Sequence, residues 1–591
     1  MEGLLRKKKG KRIRDMGILL AAAVVFGLLF LGGGVSAAES ASGDFGTQNL
    51  LHWSLSDDGT LTITGKGKIN STPWSNYKDN IKKVVIEEGV TAIQYNTFHQ
   101  YTGLETVELP DGLTSIGTSA FYGCTNLKTA NLPDSITEIG GSAFQRCTNL
   151  SLTALPRGLT VINNFTFAMC ENLALTSLPE GLTYIGDTAF TWCKNMELTT
   201  LPEGVTYIGT SAFSNCKKIA LTELPGRLDS ISPHAFSDCT NLALTKLPDS
   251  VTSIGSYAFY WCGNLQLAEL PEGVNWIGNN AFDRCKKITL TKLPDGVTSI
   301  GDNTFMYCDN LALETLPPNL TAVGEYAFYY CKKLKLSELP DSLNSIGDDA
   351  FGKCQNITLT NLPDGVEAIG DGTFSGCTNL ALTKLPDGVA SIGNYAFNGC
   401  AQLKLEDLPA GIKSIGSDAF CNCPGLTEMT LPGSLESVGN KAFDQCPNLT
   451  TLKFTGNSAP ALGGTDVFYR NLQKILVYAG TDGYTAGSNW PVDKIELMYV
   501  DVTPKLEGDK TKPYDGTTDA PGLTVVLDKV LEGDEVSVTA TIAYDNAEIG
   551  ENKTITVSDI TLSGAHAGKY RLTADEITDT GTIIIGIQEA P

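Results

Sequence analysis

The chain has 591 residues, of which 42% are hydrophobic and 18% are charged, so it can bury a large core and is not disordered as a whole. Its formal net charge is −23, and residues 1–38 contribute seven basic and two acidic side chains, which leaves −28 on the remainder. A surface this acidic repels phosphate groups, which argues against nucleic acid and anionic lipid surfaces as partners.

The N-terminus has the three parts of a secretory signal peptide. Basic residues come first, an apolar run follows from Met16 to Leu31, and small residues fill positions 32–38. We therefore predict a signal peptide over residues 1–38 and a protein that is secreted or displayed on the cell surface. The alternative is an uncleaved N-terminal membrane anchor, because sixteen apolar residues approach the length that crosses a bilayer.

A 23-residue period dominates residues 86–450. Cysteine recurs at every twenty-third position from Cys124 to Cys446, and a phenylalanine stands three residues before each of these cysteines. Phe98 adds one earlier unit, in which Tyr101 takes the cysteine position, so sixteen units follow one another without an insertion. Such units stack into a solenoid, because no single unit can bury its apolar side chains alone.

One representative unit, residues 247–269, reads LPDSVTSIGSYAFYWCGNLQLAE. The Leu265-x-Leu267 alternation has a period of two, which predicts a short strand with both leucines inward, and the next Leu-Pro ends that strand. The Ala-Phe-x-x-Cys segment predicts a single helical or 3₁₀ turn with Phe259 and Cys262 on its inward face. The predicted fold is an α/β repeat solenoid, a leucine-rich repeat array of 23-residue units with short strands and single helical turns.

The repeated pattern LPxxLxxIGxxAFxxCxNLxxL resembles the BspA-like leucine-rich repeats of secreted and surface proteins from bacteria and some protists. The resemblance covers residues 86–450. It implies adhesion to host extracellular matrix proteins, to host receptors or to other bacterial surfaces. It implies no small-molecule substrate.

The flanks of the repeats resemble the caps of the same family. Residues 39–85 resemble its N-terminal β cap, through the string NLLHWSLSDDGTLTI and the pair Pro73-Trp74. Residues 451–500 resemble its C-terminal cap, through the string FTGN and Trp490. Both caps are expected to close the ends of the apolar core.

Residues 501–591 leave the period and alternate Thr, Val and Ile with turn residues, as in VSVTATI from Val536 to Ile542. This alternation predicts a small all-β sandwich domain with antiparallel strands. The strings KPYDGTT at 512–518 and LSGAHAGKY at 562–570 resemble the YDG domain of bacterial surface adhesins. In that setting such modules often act as spacers.

The cysteines do not predict a metal site or a catalytic site. They are one repeat apart, and the chain has only four histidines, so the ligand pairs of a zinc site and the partners for acid–base chemistry are missing from the sequence. Equivalent cysteines on adjacent coils could lie within disulfide distance, but their Cβ vectors should be parallel. We predict a ladder of buried free thiols. Cys421, two residues before Cys423 and outside the period, is the one thiol expected to be reactive or paired.

Aromatic residues break the repeat in its middle units, between the phenylalanine and the cysteine and at other variable positions. Exposed Trp and Tyr side chains are typical of contact surfaces. The alternative is lateral packing between adjacent coils. The candidate binding surface comprises Tyr184, Trp192, Tyr207, Tyr257, Tyr260, Trp261, Trp276, Tyr307, Tyr326, Tyr329 and Tyr330.

The sequence thus favours a non-catalytic, exported protein that binds other proteins or cell surfaces and needs no cofactor. A structural spacer or cell-envelope component without a specific ligand is the alternative. The uninterrupted repeats favour that alternative, because specialised binding solenoids often carry insertions.

Overall fold

A computed structural model describes residues 39–485 and 488–586, and the predicted signal peptide lies outside these residues. The described chain is a leucine-rich repeat solenoid with one coil per repeat unit, followed by a small β domain, which confirms the predicted fold class. Within the described ranges there is no α-helix, and no helix is long and apolar enough to cross a bilayer. The 3₁₀ helices are Thr47–Asn49, Ser75–Tyr77, Val492–Lys494 and Ala567–Lys569.

A parallel row of very short strands runs the length of the repeats. The row is divided into five parallel sheets of three to five strands, and within each sheet a strand pairs in register with the equivalent strand of the preceding coil. Ser253–Ile254 pairs in this way with Ser230–Ile231, and its isoleucine is buried while the residue before it points outward. The strands of this row are Gly67–Ile69, Val90–Ile93, Ser115–Ile116, Glu138–Ile139, Val161–Ile162, Tyr184–Ile185, Tyr207–Ile208, Ser230–Ile231, Ser253–Ile254, Trp276–Ile277, Ser299–Ile300, Ala322–Val323, Ser345–Ile346, Ala368–Ile369, Ser391–Ile392, Ser414–Ile415, Ser437–Val438 and Ala461–Leu462.

The strand predicted at Leu265-x-Leu267 is wrong for the middle repeats. Each coil there adds only one or two backbone hydrogen bonds to the leucine row, such as the 3.0 Å bond from the Gln266 N–H to the Leu244 carbonyl. The inward leucines of the unit are Leu265, Leu267 and Leu270, so the first spacing is two residues and the second is three. A three-residue step cannot continue a period of two, so the chain bends and the strand ends.

The outer repeats keep the alternation and form true sheets in this second row. Met429 and Leu431 are two residues apart and are both buried in the strand Glu428–Leu431, and Val107 is buried in the strand Thr106–Glu108. The N-terminal sheet contains Glu39–Phe45, Leu51–Ser56, Thr60–Gly65, Lys83–Ile86, Thr106–Glu108 and Thr129–Ala130. The C-terminal sheet contains Glu428–Leu431, Thr451–Phe454, Lys474–Tyr478 and Ile495–Met498.

The predicted helical turn is replaced by consecutive tight turns. Bonds from Tyr260 N–H to the Tyr257 carbonyl and from Cys262 N–H to the Phe259 carbonyl, at 3.2 and 3.0 Å, close two of them. Tyr257 and Trp261 have a φ of 59°. This left-handed backbone interrupts the helical path, and the N–H groups of both residues donate to carbonyls of the next coil at 2.9 Å. Every repeat therefore contains two positions at which the backbone favours glycine or asparagine.

An aromatic spine fills the centre of the solenoid. The phenylalanine rings stack from coil to coil with centroids 5.2–5.8 Å apart, from Phe98 to Phe443. Trp74 stacks on Phe98 at the N-terminal end, and at the other end Phe468 stacks on Phe443 and contacts Trp490. Aromatic side chains of the flanking segments thus cover both ends of the spine, which would otherwise face water.

The C-terminal β domain is mixed and not purely antiparallel as predicted. Its long central strand pairs antiparallel on both sides, but two further strand pairs in the domain are parallel. Its core contains Ile555, Val557 and Ile583. The strands are Val500–Val502, Pro504–Glu507, Thr511–Pro513, Thr524–Leu527, Ser537–Tyr544, Gly550–Ser563, Tyr570–Leu572 and Ile577–Ile584.

A buried polar cluster joins the β domain to the last part of the solenoid. Asp534 accepts hydrogen bonds from Lys569 at 3.0 Å and from the Tyr570 hydroxyl at 2.6 Å, and both charged side chains are buried. The Lys569 ammonium also lies 5.3 Å from the ring centroid of Tyr478 in the C-terminal sheet. Asn457 adds a 3.1 Å contact to the ring of His566. The junction is therefore packed and polar rather than an extended linker.

Candidate binding surface

The predicted aromatic surface divides into two faces of the coil. Tyr184, Tyr207 and Trp276 occupy the outward position of the short parallel strands. Tyr184 and Tyr207 stack with centroids 4.9 Å apart, whereas Trp276 is 48% exposed. The other eight predicted residues lie in the turn segment between the strand and the cysteine, on a different face.

Seven of those eight residues form one contiguous group with a residue that the sequence analysis missed, Arg284. We call the group the aromatic patch, and it comprises Tyr257, Tyr260, Trp261, Arg284, Tyr307, Tyr326, Tyr329 and Tyr330. Three consecutive Phe–Phe spacings of 5.5, 5.4 and 5.6 Å separate its first and last coils, so the patch extends across four coils along the solenoid axis. Both interpretations of these aromatic residues, an exposed contact surface and lateral packing between coils, hold for the patch. Trp261 is 42% exposed, while the tyrosines are half-buried against one another.

Arg284 lies at the centre of the aromatic patch. Its guanidinium carbon is 5.0 Å from the ring centroid of Trp261 and 4.8 Å from that of Tyr307, so it contacts an aromatic ring of the coil on each side. The attraction between a cation and an aromatic face holds the three side chains together. One terminal nitrogen, Nη1, donates to Asp283 at 3.1 Å. Nε and Nη2 have no hydrogen-bond partner within the described residues.

Asp283 is a buried carboxyl group beneath this surface, with 3% of its area exposed. Burial raises the pKa of Asp283 to about 6, although the charge and hydrogen bond of Arg284 lower it. Serines take the same position in other coils, at Ser214, Ser237 and Ser375. A carboxyl group with a raised pKa thus lies directly against the central arginine of the patch.

The aromatic patch places large side chains where the backbone disfavours them. Trp261 and Tyr330 have φ values of 59° and 65° at the position before the cysteine, and Gly123, Gly376 and Gly399 hold this position elsewhere. Left-handed backbone costs a non-glycine residue about 1–2 kcal/mol. Arg146, Met169 and Lys353 hold the same conformation in other coils, so this backbone belongs to the whole repeat, and the aromatic side chains at this position are concentrated in the patch coils.

Trp192 is separate from the patch. It has the same backbone conformation as Trp261, with a φ of 65°, and a similar exposure of 39%. Asn215 and Asp238 occupy the equivalent positions in the two intervening coils, so its ring contacts none of the patch residues. Its only ring partner in the described chain is the ammonium of Lys194, at 4.8 Å.

A group of lysines follows the cysteine in the same middle coils and was also missed from the sequence. Lys194 and Lys332 lie over the rings of Trp192 and Tyr330, which shows that a lysine after the cysteine reaches the residue before it. The string Cys-Lys-Lys, which recurs in the sequence, could have revealed these lysines. The lysines of the three Cys-Lys-Lys strings are all exposed; they are Lys217, Lys218, Lys286, Lys287, Lys332 and Lys333.

All sixteen cysteines are buried free thiols, as predicted for the ladder. The prediction for Cys421 is wrong, since this thiol is unpaired and only 6% exposed, and burial raises its pKa to about 11. In residues 39–485 and 488–586, no three His, Cys, Asp or Glu side chains are grouped so that they could hold a metal ion.

A groove elsewhere on the solenoid does not coincide with the aromatic patch. It has a volume of about 680 Å³ and lies on the strand face of the C-terminal repeats. Its wall consists mainly of glycines and small side chains such as Ser391, Ser414 and Ser437. The aromatic patch shares no residue with this groove.

The coils and the aromatic spine define a leucine-rich repeat solenoid protein. Its candidate binding face is formed where aromatic residues replace the usual residues of the repeat. A family model for the BspA type leucine rich repeat region (6 copies) matches residues 68–197, 160–289, 239–358 and 344–473, which together span 406 of the 591 residues. The protein belongs to this BspA-type leucine-rich repeat family. A YDG domain model matches residues 500–578, and neither family model describes a catalytic domain.

Several solved structures are similar to the chain. A leucine-rich repeat protein from Bacteroides ovatus ATCC 8483 is 25% identical over 68% of this chain and 93% of its own, with a TM-score of 0.37. A leucine rich cell surface protein from Faecalibacterium prausnitzii A2-165 is 23% identical over 71% and 95%, with a TM-score of 0.29. A leucine-rich repeat protein from Eubacterium ventriosum ATCC 27560 is 22% identical over 65% and 95%, with a TM-score of 0.31. No curated protein matches the chain.

Proposed function

We propose that this protein is exported and binds proteins on host or bacterial surfaces through the aromatic patch. The signal-peptide pattern of residues 1–38 supports export, and the membership of the BspA-type family supports protein binding. The observation that carries the proposal is the contiguous patch around Arg284, which spans four coils and keeps aromatic side chains on strained backbone. Trp, Tyr and Arg are the residues that most often dominate the binding energy of protein interfaces.

Within this proposal the molecule has three parts with different tasks. Residues 39–85 and 451–500 cap the core, residues 86–450 present the binding surface, and residues 501–591 hold that surface away from the cell. The packed junction at Asp534 and Lys569 supports the last role, because a rigid connection keeps the solenoid at a fixed distance and orientation.

The test compares two tryptophans that differ only in their surroundings. Trp261→Asn removes a patch residue, and Trp192→Asn removes a tryptophan of the same backbone conformation and similar exposure outside the patch. Asparagine tolerates left-handed backbone, and Asn215 and Asn422 already hold this position, so both variants should fold. The purified proteins are titrated against immobilised matrix proteins, mucins and whole bacteria, with circular dichroism to check folding.

We expect saturable binding to at least one of these surfaces, weakened at least tenfold by Trp261→Asn and less than twofold by Trp192→Asn. Equal effects of the two substitutions would show that the patch is not the site. Absence of binding by the unmodified protein would contradict the proposal and favour the structural spacer instead. A Trp276→Ser variant that alone loses binding would move the site to the strand face.

A further inference from the structure

Basic side chains occur in and after the aromatic patch of a strongly acidic protein, beginning with Arg284 and the lysines that follow Cys285 and Cys331. Outside the three Cys-Lys-Lys strings and Cys193-Lys194, the residue after the repeat cysteine is never basic. Two of the four patch coils, those of Cys285 and Cys331, carry such lysines, whereas Gly263 and Asp309 follow the cysteines of the other two. Two independent departures at one place indicate one partner that contacts both.

Exposed lysines in two of the patch coils are available to a partner. Lys286, Lys287 and Lys333 are exposed and form no ion pair with any described residue. Arg284 uses Nη1 for Asp283, and its Nε and Nη2 have no hydrogen-bond partner among the described residues. Because a charge acts only over about 8–10 Å at physiological salt, these local cations matter more to a docked partner than the net charge of the whole chain.

The rings around Arg284 also prepare it to bind an anion. Stacking between Trp261 and Tyr307 holds the planar guanidinium in place, so less side-chain entropy is lost when it binds. A carboxylate matches two of its N–H groups at once, and such bonds are about twice as strong as those between neutral groups. The geometry thus suits a carboxylate better than a dispersed negative charge.

We propose that the aromatic patch binds an acidic polypeptide segment, with one carboxylate of the partner on Arg284 and others on the lysines of neighbouring coils. This inference rests on the proposed function and names the chemistry of its partner. Lys286 follows Arg284 in the same coil, and Lys333 lies two coils away, so coil spacings of 5.4 and 5.6 Å separate the anchors along the axis. An extended chain rises about 3.3 Å per residue, so acidic residues three positions apart would match them.

The test uses a fluorescein-labelled ten-residue peptide with glutamate at every third position and serine elsewhere, titrated into the purified protein. The control peptide carries glutamine in place of glutamate, and an oligomer of sialic acid represents an acidic glycan. The variant Asp283→Ser with Arg284→Gln removes the anchor without leaving a buried charge. Gln100 and Gln445 hold the Arg284 position in other coils, so glutamine is compatible with the backbone there.

Arg146→Gln is the matched control, because Arg146 holds the same position with a φ of 64° but lies outside the patch. We expect the glutamate peptide to bind saturably, to weaken with salt, and to lose at least tenfold in affinity in the Asp283→Ser, Arg284→Gln variant but not in Arg146→Gln. Equal binding of the glutamine peptide, or no effect of the double variant, would overturn the inference. Preference for the sialic acid oligomer would overturn the peptide assignment and identify a glycan.

The two proposals fail separately. Suppose that Trp261→Asn abolishes binding to matrix proteins or bacteria and that the Asp283→Ser, Arg284→Gln variant leaves this binding unchanged. That result would support the patch as the site and reject an acidic segment as its ligand.

Discussion

The thiol of Cys262 donates a hydrogen bond of 3.0 Å to the carbonyl oxygen of Phe236 in the preceding coil. The same carbonyl accepts the backbone N–H of Cys239 at 3.1 Å, so both of its lone pairs are used. All fifteen cysteines of the period make the equivalent bond, from Cys124 to Cys446. The cysteine is therefore a small apolar side chain that also links two coils.

Replacing one ladder cysteine should destabilise the solenoid by a moderate amount. Cys262→Ala removes the thiol bond and leaves a small cavity, for an expected loss of about 1–2 kcal/mol. Urea unfolding followed by circular dichroism measures the loss. Cys421→Ala is the control and should cost less, because Cys421 makes no bond to a phenylalanine carbonyl. Equal losses for both substitutions would mean that the coil-to-coil bond contributes nothing.

The native protein should resist thiol reagents at pH 8. Burial raises the pKa of the ladder thiols, to about 12 for Cys354, and that of Cys421 to about 11, so the reactive thiolate is scarce. We expect no rapid reaction with a thiol-specific reagent in buffer and sixteen thiols in urea without reductant. Fewer than sixteen thiols in urea would reveal disulfides and contradict the free ladder.

Stability should depend on pH through Asp283. Its pKa is about 6 in the fold and about 3.9 in an unfolded chain, so the folded state disfavours the charged form. The contribution of Asp283 to the free energy of unfolding is therefore greatest below about pH 4. About 3 kcal/mol of this contribution is lost as the pH rises through 6. Asp283→Asn should therefore stabilise the protein at pH 7.5 and have little effect at pH 4. Urea midpoints at the two pH values check this.

The exposed Asp249 provides the comparison for that experiment, since Asp249→Asn should change the midpoint little at either pH. A destabilising effect of Asp283→Asn at pH 7.5 would show that the ion pair with Arg284 outweighs the cost of burial.

The junction should depend on Asp534 more than on any exposed ion pair. Burial raises the pKa of Asp534, but hydrogen bonds from Tyr570 and Lys569 outweigh this effect and the pKa is lowered. The stabilisation that Asp534 contributes is present above the pKa that this group has in the unfolded chain. It is lost as the pH falls through the lower pKa that the group has in the folded protein. Asp534→Ala leaves Lys569 buried without a counter-charge, which costs about 3–5 kcal/mol.

We expect this loss to appear as faster amide exchange in residues 500–586 of Asp534→Ala. The exposed pair of Asp501 and Arg571 is the control, because Asp501→Ala removes an interaction worth less than about 1 kcal/mol. Unchanged exchange in Asp534→Ala would mean that the buried cluster does not stabilise the domain.

The sequence alone was sufficient for the architecture because the repeat is a one-dimensional signal. A cysteine and a phenylalanine at a constant 23-residue interval must align when coils stack, so the free thiols and the central row of rings were both predictable. The spacing of residues within one unit predicted its secondary structure less reliably. The strand at Leu265-x-Leu267 was wrong, because the three-residue step to Leu270 bends the chain, and the helical turn was wrong because Tyr257 and Trp261 adopt positive φ.

The candidate binding surface shows which features the sequence alone does not predict. The aromatic departures were visible one residue at a time, and the sequence placed Trp192, Trp261 and Trp276 in one set. Only the coil geometry separates them into the strand face, the patch and an isolated position. Only tertiary structure brings Arg284 between the rings of the preceding and the following coil, because contacts between neighbouring coils depend on the direction of each side chain and not on its place in the repeat.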